Sequence, residues 1–421
     1  MRIRQLFVSG FALFAMFFGA GNLIFPPFLG KVGGQEWIIG FLSFFLVEAL
    51  SCVGIYAMIQ GGGSIHAMEK SVGAKPGAVL NTAAILCTGV LIAPPRTAAT
   101  TYEMAIRPLL EGIDLLPFSI VFFAVVLVLT IRPSQVVEII GKCLTPLLIL
   151  GILVLIVAGI LHPIGEIGPS TSTNIAQDGL VAGYQAMDIL SVAGFAIIIQ
   201  DSMVQSGLHT WREQRPQVAG STSVAALLLA VVYGGLTFLG ATTSTSFGDG
   251  LDQAGLIVAI TQALLGQAGV VILAIVVGLA CLTTAIGLFG ATASYFQRIT
   301  GGRLSYRKGI ILLAILGCAI CNLGLSTIIN AASPVLSVIC PPFMTTVVLL
   351  AFQKFISRPG LYKGAALGAT LAALLLTLQQ YSGLFPLAQS LPLYDYGFGW
   401  LIPAAVGGFI GMLLSHPRQQ P

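Results

Sequence analysis

Polar residues come in short bursts between long apolar runs along this chain. Their spacing predicts twelve membrane-crossing helices, at 6–29, 36–59, 77–102, 117–131, 142–161, 177–207, 218–242, 267–299, 308–325, 327–353, 361–381 and 397–415. A crossing needs about 20 residues. The stretches at 177–207 and 267–299 exceed that length, and the one at 117–131 falls short. The connections are brief, the longest being 162–176, 243–266 and 382–396, so no soluble domain is expected. One connection contains DQAGLIVAITQALLG at 252–266. It reads equally as a short interfacial helix on the outer face or as a capping loop with a turn or two of helix.

Composition agrees. Of 421 residues, 56% are hydrophobic and only 8% charged, with a mean hydropathy of +0.97. A soluble domain carries about 25% charge, and one aqueous core cannot hide this much apolar surface. The chain reads as an all-α polytopic membrane protein. Its opening, MRIRQLFVSGFALF, resembles the start of a signal peptide. The apolar run is too long for one and lacks a small-x-small cleavage site, and many spans follow.

Charge sets the orientation. With the N-terminus inside and the spans alternating, all of the 19 Lys and Arg except Lys31, Arg96 and Arg107 fall on the inner side. Cationic loops resist translocation, so this bias predicts an even number of crossings with both termini cytoplasmic. The outer loops hold Asp114, Glu166, Asp178, Asp249, Asp252 and Asp395. The seven cysteines lie in or beside apolar segments and make no metal-like pairs with histidines, so they read as packing residues. His66, His162, His209 and His416 sit at loop edges. A membrane-embedded hydrolase would need a nucleophile–base pair or a metal cluster at depth, and a channel a filter-like repeat; the chain offers neither. Nothing points to nucleic acid.

Two spans carry signs of interruption. The first contains FFGAGNLIFPP (17–27), with Gly19–Ala20–Gly21–Asn22 where a helix should be continuous and two prolines behind. The sixth contains GYQAMDILSVAGFAIII (183–199), with Asp188 and Ser191 in apolar surroundings and Gly194 just after. Irregular backbone at membrane depth is tolerated where protein shields it or where it lines a wet cavity. A break frees amides that suit a carboxylate and carbonyls that suit an ammonium or a hard cation. Two breaks five spans apart fit an inverted-repeat transporter; a plain glycine kink for packing is the simpler alternative for the first. In the eighth span, Ala280, Thr283 and Thr284 stand at i, i+3 and i+4, on one helix face. Two hydroxyls and a carbonyl there suit sodium, or the threonines bond back to their own helix.

FFGAGNLIFPP (17–27), APPRTAATTYE (93–103), GYQAMD (183–188), ACLTTAIGL (280–288) and SPVLSVICP (333–341) resemble the motifs of the branched-chain amino acid:cation symporter family. The resemblance spans essentially the whole chain. It implies a carrier in the bacterial inner membrane that takes up leucine, isoleucine and valine with co-transported sodium. It implies a leucine-transporter-like fold, with a 5+5 inverted repeat in 1–161 and 177–353, discontinuous helices 1 and 6, and two accessory helices in 361–415. Helices 1, 2, 6 and 7 would rock against 3, 4, 8 and 9. The substrate carboxylate would meet the amides of Ala20 and Gly21, beside Gly19, and its ammonium the carbonyl of Phe17. Asn22 would act through its side chain. Phe17, Ile189, Leu190, Ser191, Val192 and Phe195 would surround the rest of the substrate. Sodium would sit among the carbonyls of Ala15, Phe18 and Ala280 and the hydroxyls of Thr283 and Thr284. The wider fold's helix 6 run matches 190–195 with the last aromatic displaced by one residue.

Four acids lie in or near spans, where such residues are rare and often functional. Asp188 is expected to cap freed amides or respond to the cation. Glu48 suits a cation partner, a proton site or an interhelical hydrogen bond. Glu103 suits an ion pair with Arg96 or Arg107, and Asp201 lies toward the inner end. A proton-coupled carrier or an exchanger for other apolar amino acids is the alternative to sodium symport. Glycine pairs Gly364/Gly368 and Gly407/Gly411 predict close helix packing in the last two spans, as scaffold or dimer face.

Overall fold

In the computed structural model of this chain, residues 3–61, 68, 71–110, 112–131, 149–248, 250–356 and 358–415 are described. All regular structure among them is helical. The helices are α1 Ile3–Phe17, α2 Ala20–Gly33, α3 Trp37–Gln60, α4 Ala74–Leu86, α5 Ala93–Thr101, α6 Leu115–Ile131, α7 Ile149–Leu161, α8 Ile175–Ala186, α9 Asp188–Gln205, α10 Trp211–Ala241, α11 Gln253–Ile299, α12 Tyr306–Cys321, α13 Leu325–Ala351, α14 Gly360–Ser382 and α15 Leu401–Leu413. Each predicted stretch is mainly helical where it is described, apart from breaks at 18–19, 92 and 187 and turns near several ends. Among the described residues, seven stretches suffice by length and composition to cross a membrane: Ala20–Gln60, Ala74–Ile106, Ile175–Val204, Trp211–Ala241, Gln253–Ile299, Leu325–Ala351 and Gly360–Ser382. The start of the predicted fifth span, 142–148, and the charges Arg2, Lys70, Arg132, Lys142, Asp249 and Arg418 lie outside the described residues.

Packing divides the helices into groups. The helices α2, α3, α8, α9 and α10 pack on one another, with α1 laid against α10. Helix α11 packs on α5, α6 and α12, and touches the first group through α2 and, to a smaller extent, α10. The helices α14 and α15 pair closely, and α14 packs on α13. Added Cβ atoms at Gly364 and Gly411 would overlap the carbonyls of Gly407 and Gly360. The glycine pairs therefore close a seam within this chain.

The segment 253–265 settles as a helix. Asp252 caps it, accepting from the Gly255 amide at 2.7 Å, and Gly266 turns the chain at φ 64° into the long second part of α11. Leu256, Ile257 and Ile260 are fully buried, so this helix packs into the protein.

Candidate functional site

The first break takes two residues. Helix α1 ends at Phe17, Gly19 is extended (φ −108°, ψ −173°), and α2 starts at Ala20. The first-turn amides of α2, from Ala20 to Asn22, have no intrahelical acceptor and carry the positive end of the helix dipole. Helix resumes three residues sooner than the sequence pattern suggests, so Asn22 belongs to that first turn. Its side chain bridges the gap: Nδ2 donates to the Phe17 carbonyl at 2.5 Å and to Asp188 Oδ2 at 2.7 Å.

The second break is a single residue. Met187 adopts a left-handed conformation (φ 66°) between α8 and α9, which costs a non-glycine residue about 1–2 kcal/mol. The break therefore precedes Asp188, and Gly194 and Phe195 lie inside continuous helix. Asp188 does not cap its own helix; it reaches across to Asn22. Ser191 Oγ donates back to the Met187 carbonyl at 3.3 Å.

The two breaks face each other. Besides the Asn22–Asp188 bond, the Phe17 and Phe195 rings meet edge to face with centroids 5.4 Å apart. Phe17, Ile189, Leu190 and Val192 are buried alongside. At Gly19 nothing beyond its chain neighbours stands within 4 Å of where a Cβ would project, so open space adjoins the first break, and the same holds at Gly194, exposed inside α9.

A third element was not anticipated here. Arg96 of α5 is buried, donates through Nη1 to the Gln185 carbonyl at the end of α8, and lies 5.5 Å from the centre of the Phe25 ring. Its Nη2 stands 2.8 Å from where a Gly21 Cβ would be. Arg96 thus holds both half-helices and sets a positive charge beside the α2 amides. The charge pattern alone assigned it to the outer side. The signal for its burial is its place inside the predicted span 77–102. Glu103 pairs with Arg107 at 2.8 Å.

A cavity of about 640 Å³ opens between α2, α8, α13 and the segment 171–174, with Phe25, Gln185, Ile329 and Ser333 in its wall. Binding sites for small molecules run to about 300–1,000 Å³.

The proposed sodium ligands are only partly gathered. Thr283 and Thr284 each donate to the Ala280 carbonyl at 2.9 Å, the back-bonded alternative. All three are half-buried, whereas Phe18 is buried and half-buried Ala15 belongs to α1, whose main neighbour is α10. Among the described residues no group of three or more His, Cys, Asp or Glu could hold a metal ion.

Comparison with known proteins places these features. The family model for branched-chain amino acid transport proteins matches residues 2–418. The branched-chain amino acid permease BrnQ of Bacillus subtilis is 31% identical, covering 97% of this chain and 96% of its own. The branched-chain amino acid transport system 3 carrier protein of Pseudomonas aeruginosa is 34% identical, covering 99% and 98%. These relatives are carriers, not enzymes. A substrate-bound, outward-open Na+-coupled sialic acid symporter superposes with a TM-score of 0.65 at 15% identity, covering 99% of this chain and 91% of that one. The inward-facing form of Mhp1 superposes with a TM-score of 0.64 at 15% identity, covering 96% and 90%. At such identities the likeness shows the fold, which is leucine-transporter-like.

Proposed function

This chain belongs to the branched-chain amino acid transport protein family, and from that premise we propose that it carries leucine, isoleucine and valine into the cell by symport with sodium. The observation that carries this reading is the joint of two half-helices, tied by Asn22 and Asp188 beside open space at Gly19. The amides of Ala20 and Gly21 receive the substrate carboxylate, and Arg96 adds its charge on the Gly21 side. The Phe17 carbonyl accepts from the ammonium; it already takes one hydrogen bond from Asn22, and a carbonyl has a second lone pair. Asn22 and Ser191 flank this polar end. Phe17, Ile189, Leu190, Val192 and Phe195 enclose the branched side chain.

Sodium binds between the carbonyls of Ala15, Phe18 and Ala280 and the hydroxyls of Thr283 and Thr284. A hydroxyl that donates to Ala280 keeps lone pairs for a cation. Ion and substrate together stabilise the occluded state, which couples the gradient to uptake. The twelve crossings have both termini cytoplasmic, with repeats at 1–161 and 177–353 and accessory helices at 361–415. The packing groups support a bundle of α2, α3, α8, α9 and α10 that rocks against α5, α6, α11 and α12.

The test is Thr283→Ala with Thr284→Ala in proteoliposomes, with leucine uptake measured with and without a sodium gradient. Sodium stimulation should fall at least tenfold while folding is kept. Uptake that remains sodium-dependent overturns the sodium assignment.

A further inference from the structure

Glu48 is fully buried in the middle of α3. Its carboxyl lies within hydrogen-bonding reach of the Asp188 carboxyl. Yet neither Glu48 oxygen meets a donor among the described residues. Two carboxylates offer each other only lone pairs, so nothing holds this contact while both are ionised.

The surroundings sharpen the conflict. The ionisable groups close enough to act on the pair are Cys52 on α3 itself, Tyr233 from α10 and, toward Asp188, Arg96 from α5. Asn22 of α2 gives Asp188 one N–H. The helices α8 and α13 also pack on α3 and bring no charge to Glu48 among the described residues. With both acids ionised, the cluster holds two negative charges against the single positive charge of Arg96. An unbalanced buried charge costs several kcal/mol, and paired carboxyls resolve this by keeping one proton. One proton balances the cluster and also supplies the missing donor, because a protonated Glu48 gives its O–H to Asp188.

We propose that Glu48 and Asp188 form a one-proton site that loads and unloads during transport. The inference rests on the transport reading above but not on its sodium ligands. In loading, a proton from water forms an O–H bond on the pair, and in unloading that bond breaks and the proton returns to water. The pair joins α3 to the start of α9, and Asn22 ties Asp188 to the Phe17 carbonyl at the first break. Substrate at that break is therefore one side chain from the proton, and a shift of α2 against α9 alters the spacing of the two carboxyls.

The experiment uses the full chain in proteoliposomes loaded with a fluorescent pH dye, with the membrane potential clamped. Leucine is added outside under a sodium gradient, and leucine counterflow at equal pH is measured in parallel. Wild type should acidify the lumen on leucine addition. Glu48→Gln should lose at least tenfold of that signal while counterflow stays within twofold. A wild type that accumulates leucine without acidification overturns the proposal, as does Glu48→Gln that acidifies like wild type. A wild type without counterflow overturns the transport reading itself, and this proposal with it. If Glu48→Gln does not accumulate, leucine binding to wild type in two buffers of different ionisation enthalpy counts the protons taken up, and a count of zero overturns the site.

Discussion

Glycine serves opposite ends in two regions of this molecule. Along the α14–α15 seam, a Cβ on Gly364 or Gly411 would overlap a backbone carbonyl of the facing helix. At Gly19 in the first break, and at Gly194 inside α9, a Cβ would meet nothing within 4 Å. The first pair lets two backbones touch; the second leaves room. Motif spacing alone does not separate them, since both lie in apolar spans. What the neighbours do with the missing side chain separates scaffold from site.

The largest effect should come from filling the seam. In Gly364→Leu the obstruction is backbone, which no rotamer change relieves, and overpacking of this kind costs about 3 kcal/mol or more. Thermal unfolding in detergent should show a sharply less stable protein with low yield. If the variant instead keeps its stability and only changes its oligomeric state, the glycine face serves a partner chain.

Filling the joint should do the reverse. Gly19→Leu projects into open space from an extended residue that any side chain can adopt. Stability should stay within about 0.5 kcal/mol, as for substitutions that disturb no packing, while leucine uptake falls at least tenfold. Loss of folding would place Gly19 with the seam.

How far the sequence anticipates these regions depends on the range of the forces involved. Apolar runs are local signals, and helix covers most of each stretch they mark where it is described. The first break is announced by Gly19 and Gly21, and its limits shift because helix can resume at Ala20 as soon as Gly19 is extended. The second is hidden. Met187 holds a left-handed conformation that its own propensity opposes, so contacts from other helices must fix it, and the eye is drawn instead to Gly194. Arg96 and Gln185 are 89 positions apart. Asn22 meets Asp188 across 166 positions, and no local pattern encodes that bond.

That bond supplies the next prediction. Asn22→Ala removes the donor from both Asp188 and the Phe17 carbonyl. Leaving buried acceptors bare costs about 1–3 kcal/mol. Because the bond joins the two half-helices, the loss should appear as roughly tenfold weaker leucine uptake, together with a modest drop in thermal stability. Uptake at the wild-type level would show that the two breaks work without being tied, and would weaken the case that they form one site.

The smallest expected effect is the most discriminating. Gly194 lies inside α9, exposed and with free space where a methyl would go. Glycine within a helix is about 0.5–1 kcal/mol less favourable than alanine. Gly194→Ala should therefore raise stability by up to that amount, seen as an unfolding midpoint about 1 °C higher, with leucine uptake within twofold of wild type. Suppose the midpoint rises while uptake collapses. The methyl then fits the conformation described here and obstructs another one, in which a neighbouring helix closes onto α9. Gly194 would then play both parts in turn, open space in one state and seam in the next. The contrast between the two regions would become a contrast between two states of the same residue.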